Sequence, residues 1–419
     1  MTKYFAIFLI ISLAVVPVSS YKTWADTSVT DSKKSEKAKK KEIKKVLSQV
    51  KASLKQGKDL QNVEKSLNTL LNDTANVRDE RIHLLLFQCL DMQYQQGNEK
   101  LFLKQKYDTA TLFLTARKMF LAYERFDSVD ALNMQAGRVL PKYRKEHSQK
   151  LIPYYHNLYT GGIYFFNHKK YDEALKCSET FLSAPHWSLF SSVKLQADSS
   201  VVNHASYLAF MSNYKKGDNQ RSLKYKDSAL KYIPRLESTL QCLCEIHQKE
   251  NMVEEYLSAL QTGVDSFPTS TYFFPRLVDI YCEDGKYDTA LSLTEKVIAS
   301  DTANLLLHVT RQTILLNLAR YDDCIKEGLQ IISANDSISD AHYNIALAYY
   351  NQALEKDMEL KKKPRERIKQ VNALYRKCLP FMQRYRSLAP DQRDRWRPVL
   401  YDIYLNLNMG KEFEEILKQ

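Results

Sequence analysis

Cys242, Cys244 and His247 lie within one short segment of helical periodicity, the nearest approach in this chain to a metal-ligand set. Cys244 and His247 are three apart and share a helical face, whereas Cys242 and Cys244, two apart, point to different sides. A thiolate and an imidazole would suit zinc, but a structural zinc site takes four donors, and the neighbouring sequence supplies no fourth. His308 and His342 form a second pair, at i and i+34. Elsewhere the search for chemistry is negative: the sequence holds no Gly-rich phosphate loop, Gly-x-Ser-x-Gly elbow, His-Glu-x-x-His helix or Cys-x-x-Cys pair. The expectation is a protein that is not an enzyme, with no catalytic residue, no cofactor and no metal.

The elements that carry these residues explain them better than chemistry does. Pro234 and Pro268 also stand at i and i+34, and Thr302 and Asp336 hold the next two steps of that register. Around them Phe274, Leu277, Val278 and Tyr281 precede Gly285, Tyr287 and Ala290. Each has a counterpart at i+34: His308, Arg311, Gln312 and Leu315, then Ala319, Tyr321 and Cys324. A unit of this length closes as two antiparallel helices of roughly four turns each, and it cannot bury its apolar face without a stacked neighbour. Leu243, Cys244 and His247 occupy packing sites of that unit, and His308 and His342 share its first aromatic site. Few glycines (10) and prolines (11) in 419 residues disfavour a fold needing a turn every ten residues. The fold class predicted is all-α, an α-solenoid of stacked antiparallel helix hairpins.

The spacing aromatic-x2-Leu-small-x2-Tyr, then Gly-x-Tyr-x2-Ala, then Pro resembles the tetratricopeptide repeat, whose signature is W-x2-L-G-x2-Y, A-x3-F and P. Residues 271–304 match best. The register runs through units starting at Asn203, Glu237, Thr271, Leu305 and Ser339, and a further unit starts at Tyr155 with Leu158, Gly161, Gly162, Phe165, Tyr171 and Ala174. Fainter copies lie earlier, where Lys106 to Ala110 repeats Lys286 to Ala290. The likeness departs at the first signature position, which lacks Trp in every unit from 155 to 372, and at Cys244, Cys324 and Cys378, which take small-residue sites.

The first 25 residues read differently. Lys3, the apolar run Phe5 to Val16 and the small residues after Pro17 have the order of a secretory signal, with cleavage after Ser20 or Ala25. No lipoprotein cysteine follows, so the chain is expected to be exported and soluble in the periplasm. Residues 26–40 read as a basic flexible linker, 41–154 as divergent helical repeats, 155–372 as the array, and 373–419 as a C-terminal repeat with capping helices. Within 41–154, Val46 to Leu54 and Leu60 to Leu71 form a hairpin broken by Gly57, and 78–103 one longer helix. The stretch 123–154 is the least periodic. Ala341 to Met358 is too long for a standard first helix. The seven cysteines are expected to be buried thiols filling packing sites, with one opportunistic bridge as the alternative.

The formal charge is +12, concentrated in Lys33 to Lys45 and in Lys361 to Lys369. These are solvated stretches or contacts to an anionic surface; nucleic acid is not expected as a partner. The resemblance implies a concave surface lined by the second, fifth, ninth, twelfth and thirteenth residues of each unit. Those sites give Tyr159, Ile163 and Phe166; Tyr207, Met211, Tyr214 and Lys215; Tyr272 and Asp279; and Tyr343, Leu347 and Tyr350. Tyrosine dominates, and aromatic rings with a polar tip are enriched at interfaces. The Lys and Asn clamp by which chaperone-binding relatives grip a terminal carboxylate is absent, since the fifth sites are Tyr159, Tyr207, Gln241, Pro275, Val309 and Tyr343. The reading is a protein-interaction scaffold of the cell envelope, binding a peptide or protein in an aromatic groove. The alternative is a surface binder that touches anionic lipid, glycan or cell-wall polymer through its basic segments.

Overall fold

A computed structural model describes residues 21–132, 141–361 and 363–418. Residues 1–20, most of the expected signal segment, lie outside the described residues. The chain divides into two units, Met1–Tyr232 and Ile233–Gln419, and the described elements of both are helices.

In the first unit α1 (Tyr21–Gln56), α2 (Leu60–Asn72), α3 (Glu80–Phe102) and α4 (Thr109–Asp130) are followed by the short α5 (Arg144–Leu151). Then come α6 (Tyr155–Asn167), α7 (Tyr171–Ser183), α8 (Ser199–Lys216), α9 (Asn219–Leu223) and α10 (Lys226–Ala229). Apolar residues at helical spacing close the first hairpin: Val50 and Leu54 of α1 and Val63, Leu67 and Leu71 of α2 are all buried. Asp79 and Asp108 cap α3 and α4 through their side chains, which accept from the amides of Arg81 and Ala110. Each such cap contributes about 1 kcal/mol. The expected linker 26–40 is instead part of α1. Its lysines, Ala38 and Glu36 are good helix formers, and that propensity outweighs the low apolar content that suggested a coil.

Among the described residues of the stretch 123–154, polar contacts add to the buried Tyr123, Phe126, Val129 and Leu151. Asp127, 2% exposed, pairs with both nitrogens of the Arg144 fork at 2.9 and 2.8 Å and accepts from Ser188 at 2.8 Å. Asp130 accepts from the Tyr143 amide. Beside them His147 stands edge-on to Phe87 and Tyr123, whose rings stack at 3.9 Å. The insertion from Leu189 to Val202 contributes the end of a 3-10 turn, an irregular run and the first turn of α8. The returning helix expected after α8 is broken into α9 and α10, with buried Ser222 bonded to the Phe210 carbonyl across the pair.

The second unit is more regular. Hairpins α11 (Leu236–Lys249) with α12 (Val253–Ser266), α13 (Phe273–Glu283) with α14 (Tyr287–Ile298), and α15 (Leu305–Asn317) with α16 (Tyr321–Ala334) follow one another at the repeat period. The long pair α17 (Ser339–Glu359) and α18 (Pro364–Leu388) comes next, then α19 (Arg393–Asn406) and α20 (Gly410–Lys418). The boundary expected at 372 falls inside α18, a continuous helix of 25 residues, because Val371, Tyr375 and Cys378 are consecutive buried steps of one face.

The period is visible in the backbone itself. Gly217, Asn251, Gly285 and Ala319 stand one repeat apart in succession, and all take positive φ: 79°, 56°, 71° and 57°. Each ends a first helix with the same two bonds, as where the Gly285 amide donates to Cys282 and the Lys286 amide to Tyr281. Ala319 keeps this geometry without a glycine, at a cost of roughly 1 kcal/mol. Close packing uses glycine elsewhere: a Cβ on Gly263 would lie 2.3 Å from the Phe273 ring, so the approach of α12 to α13 depends on that Cβ being missing. Ala290 and Cys324, at the small-residue sites, are fully buried.

Candidate functional site

The histidines flagged for metal chemistry have a structural task. His308 Nε2 donates to the Thr302 carbonyl at 3.0 Å and His342 Nε2 to the Asp336 carbonyl at 3.0 Å. Thr302 and Asp336 are the two positions that continue the proline register, so each ring clasps the turn that leads into its own helix. His83 does the same to Val77 at 2.8 Å. His308 Nδ1 also lies 2.6 Å from Glu327, a carboxylate buried at 5% exposure whose other oxygen binds Arg311. Among the described residues no group of three or more His, Cys, Asp or Glu could hold a metal ion. Cys242, Cys244 and His247 are all buried in α11. Burial pushes the thiols of Cys89, Cys177, Cys244, Cys324 and Cys378 up to about 12, which makes them packing groups rather than nucleophiles.

The structure sorts the predicted lining residues into three groups. In the first unit the rings meet one another. Tyr159 is half-buried, its hydroxyl 2.8 Å from His204 Nδ1. Tyr207, 7% exposed, lies among Phe166, His204 and Tyr232, the last two stacked at 4.3 Å. Met211 is also 7% exposed. Tyr207 and Met211 therefore belong to the interior, a correction to the expected open groove: the broken segment after α8 returns Tyr232 onto that face. Ile163 and Tyr214 are half-buried, and exposed Lys215 lies over the Tyr214 ring.

At the end of the second unit the predicted rings are engaged by α19. The Arg395 guanidinium sits 4.0 Å from the Tyr343 ring and bonds to Asp340, and the Tyr350 hydroxyl donates to Asp402. Burial first, and that carboxylate second, raise the Tyr350 phenol well above its usual range. Leu347 is half-buried on the same helix.

The third group borders open space. A cleft of about 290 Å³ lies between the starts of α13 and α15, lined by Phe274, Pro275, Val278, Asp279, Leu306 and Leu307, and by residues 268–271, Asp301 and Asn304 of the preceding turns. Phe274, Val278 and Leu307 form a buried floor, and Leu306, 73% exposed, stands at the rim with exposed Pro275. Pro275, Asp279 and Leu306 are sites that the repeat register assigns to the lining face. Nearby Tyr272 is half-buried, its phenol pushed up to about 12 by burial, with the Arg276 guanidinium 3.9 Å from its ring. Asn304 caps α15 by accepting from the Leu306 amide at 3.2 Å and donates to Asp301. The volume is just below the roughly 300 Å³ at which pockets begin to enclose a small ligand, so the cleft suits a side chain and its backbone.

Charge is a signal that sequence reasoning missed. Residues 233–340 hold eight Lys and Arg against seventeen Asp and Glu, a net charge of −9 inside a chain of +12. A running charge sum along the sequence finds this stretch, which the lysine clusters at 33–45 and 361–369 overshadow in the total. Among the described residues no helix is long and apolar enough to cross a membrane.

No protein-family model matches the chain, and no curated protein matches it. Among solved structures, the chain is similar to the C-terminal part of a TPR repeat-containing protein from Cytophaga hutchinsonii at 12% identity and a TM-score of 0.38, covering 62% of this chain and 93% of that one. It is also similar to MamA from AMB-1, at 16% identity and a TM-score of 0.31 over 45% of this chain and 92% of that one. A third is the TPR2AB domain of yeast Sti1, solved with pHSP90, at 12% identity and a TM-score of 0.25 over 71% and 95%. The tetratricopeptide-like architecture stands here on this chain's own features: hairpins at a fixed period and a left-handed residue closing successive first helices.

Proposed function

We propose that this chain, an array of tetratricopeptide type, is a non-catalytic protein-interaction scaffold that docks a peptide or a protein segment on the first-helix face of its second unit. The observation that carries this reading is the cleft between α13 and α15, with Leu306 73% exposed at its rim over a buried apolar floor. Leu306 lines the cleft together with Pro275 and the polar Thr269, Thr271 and Thr310. It is the feature expected of a contact centre, where an apolar anchor is surrounded by groups that exclude water. Of the expected lining residues, this reading keeps Asp279 and the neighbouring Tyr272 of the second unit and leaves the buried Tyr207 and Met211 out.

Export is part of the proposal and rests on the sequence of residues 1–25. The mature protein then works in the cell envelope. Mass spectrometry of the protein purified from its own cells should find an N-terminus at residue 21 or 26; a product retaining Met1 overturns the export reading. For the scaffold reading, cross-linked pull-down from the envelope is compared between the parent and Leu306→Glu. Loss of a partner in the variant is expected, and an unchanged set of captured proteins refutes the site.

A second reading is favoured by the exposure of Lys39, Lys41, Lys44 and Lys45 along α1: contact with an anionic surface. Such contact weakens steeply with ionic strength, whereas apolar docking changes little, so salt dependence of envelope association separates the two.

A further inference from the structure

The charge around the α13–α15 cleft restricts what can dock in it. Most cations of this acidic stretch are already engaged. Arg276 lies on the Tyr272 ring and donates to its carbonyl at 2.8 Å, Lys286 pairs with Asp284 at 2.8 Å, and Lys296 pairs with Asp265 at 2.7 Å. Arg311 is held by buried Glu327, and Arg320 by Asp323. Asp279, exposed on the cleft wall, is in none of these pairs, and Asp301, which also lines the cleft, accepts from Asn304. The cleft thus presents an apolar slot with two carboxylates in its lining, within a segment of net −9. A carboxylate brought there by a partner would meet like charge at short range, which costs affinity, whereas an ammonium or guanidinium would gain both attraction and steering.

We propose that this cleft takes a short segment of another protein that sets one aliphatic side chain between Pro275 and Leu306 and carries lysine or arginine beside it, facing Asp279 and Asp301. The proposal rests on the scaffold reading and specifies its partner. The slot volume of about 290 Å³ supports an aliphatic anchor over a larger ligand, and the two carboxylates set the sign of the flanking charge. The occupant proposed is a separate protein; a second copy, whose basic stretches are also complementary in charge, is the competing occupant that the sedimentation below reads directly.

The test uses the full mature chain at 0.15 M salt and three fluorescein-labelled decapeptides of Gly and Ser with a central Leu-Lys-Arg, Leu-Glu-Glu or Ser-Lys-Arg, followed by anisotropy. The Leu-Lys-Arg peptide should bind at least tenfold tighter than either of the others. Asp279→Lys, an exposed change outside the ion pairs named above, should keep the parent helicity and melt and remove the preference for Lys-Arg over Glu-Glu. Equal binding of the basic and acidic leucine peptides overturns the charge inference while leaving the scaffold reading intact. Failure of all three peptides overturns the inference too, and if Leu306→Glu also retains every pull-down partner the scaffold reading falls with it. Sedimentation that shows the chain alone self-associating, with Asp279→Lys returning it to monomer, overturns the separate partner in favour of a second copy.

Discussion

Tyr207 and Pro275 hold the same place in the repeat two periods apart, yet Tyr207 is sealed beneath other rings and Pro275 stands at the mouth of an open cleft. The difference lies in the segment that returns from each helix. After α8 the returning helix is broken, and Tyr232 comes back to lie 5.4 Å from the Tyr207 ring and stacks on His204. After α13 the returning α14 is unbroken, and it brings no ring back over the cleft. Repeat register therefore specifies which side of a helix a residue occupies, while the departures from register decide whether that side sees water.

Stability measurements can break this comparison at its strongest point. Tyr207→Ala removes a buried ring, and by analogy with other aromatic truncations should cost about 3 to 5 kcal/mol in urea unfolding, whereas Leu306→Ala should stay within about 0.5 kcal/mol. Similar losses at both sites would show that the two faces are not different. A smaller effect is expected from Glu327→Ala, which leaves Arg311 and His308 without their buried carboxylate: about 2 kcal/mol, against less than about 0.5 kcal/mol for the exposed Lys296→Ala. Equal values would remove the claim that the second unit has a polar core contact of its own.

Smaller still are the backbone effects. Ala319→Gly should stabilise by about 0.5 to 1 kcal/mol and Gly285→Ala should destabilise by about 1 kcal/mol, read as opposite shifts in unfolding midpoint; shifts of the same sign would contradict the left-handed register. The last test concerns pH and the first unit. Burial lowers the His83 and His147 imidazoles below the usual value of 6.5. The unfolded chain then takes up protons first, so this contribution to stability is whole above that value and is lost as pH falls from there through the folded values. Melting should drop between pH 7.5 and 5.5, and less so in His147→Phe; a drop of the same size in that variant would assign the acid sensitivity to other groups.

The second unit was nearly all legible because its information is periodic. Phe274, Leu277, Val278 and Ala290 announce the hairpin by spacing alone, and the overlong α17 shows in the run Ala341 to Met358. The first unit was less so: Asp127 and Ser188 are held together by a hydrogen bond across 61 residues, a relation that no local period encodes. The segment 26–40, read as coil, shows that charge density and helix propensity can compete, with propensity prevailing in α1. Of the candidate site, the lining positions Asp279 and Pro275 were legible from the register, whereas the closure over Tyr207 depends on Tyr232, a residue outside the repeat signature. The clasps made by His308 and His342 were half visible, as a ring at a fixed position whose bond to the turn needs coordinates to see.

The acidic stretch 233–340 has a consequence for handling the protein in solution. A sequence isoelectric point near 9.1 describes a uniformly basic molecule, but a net −9 region flanked by strongly basic sequence makes copies mutually attractive even when their total charges repel. At 0.01 M salt the screening length of about 30 Å lets opposite patches find one another, and at 0.15 M it shrinks to about 8 Å. The chain should therefore salt in, being more soluble in physiological buffer than in water, and should bind weakly to anion-exchange resin at a pH where its total charge says it must flow through.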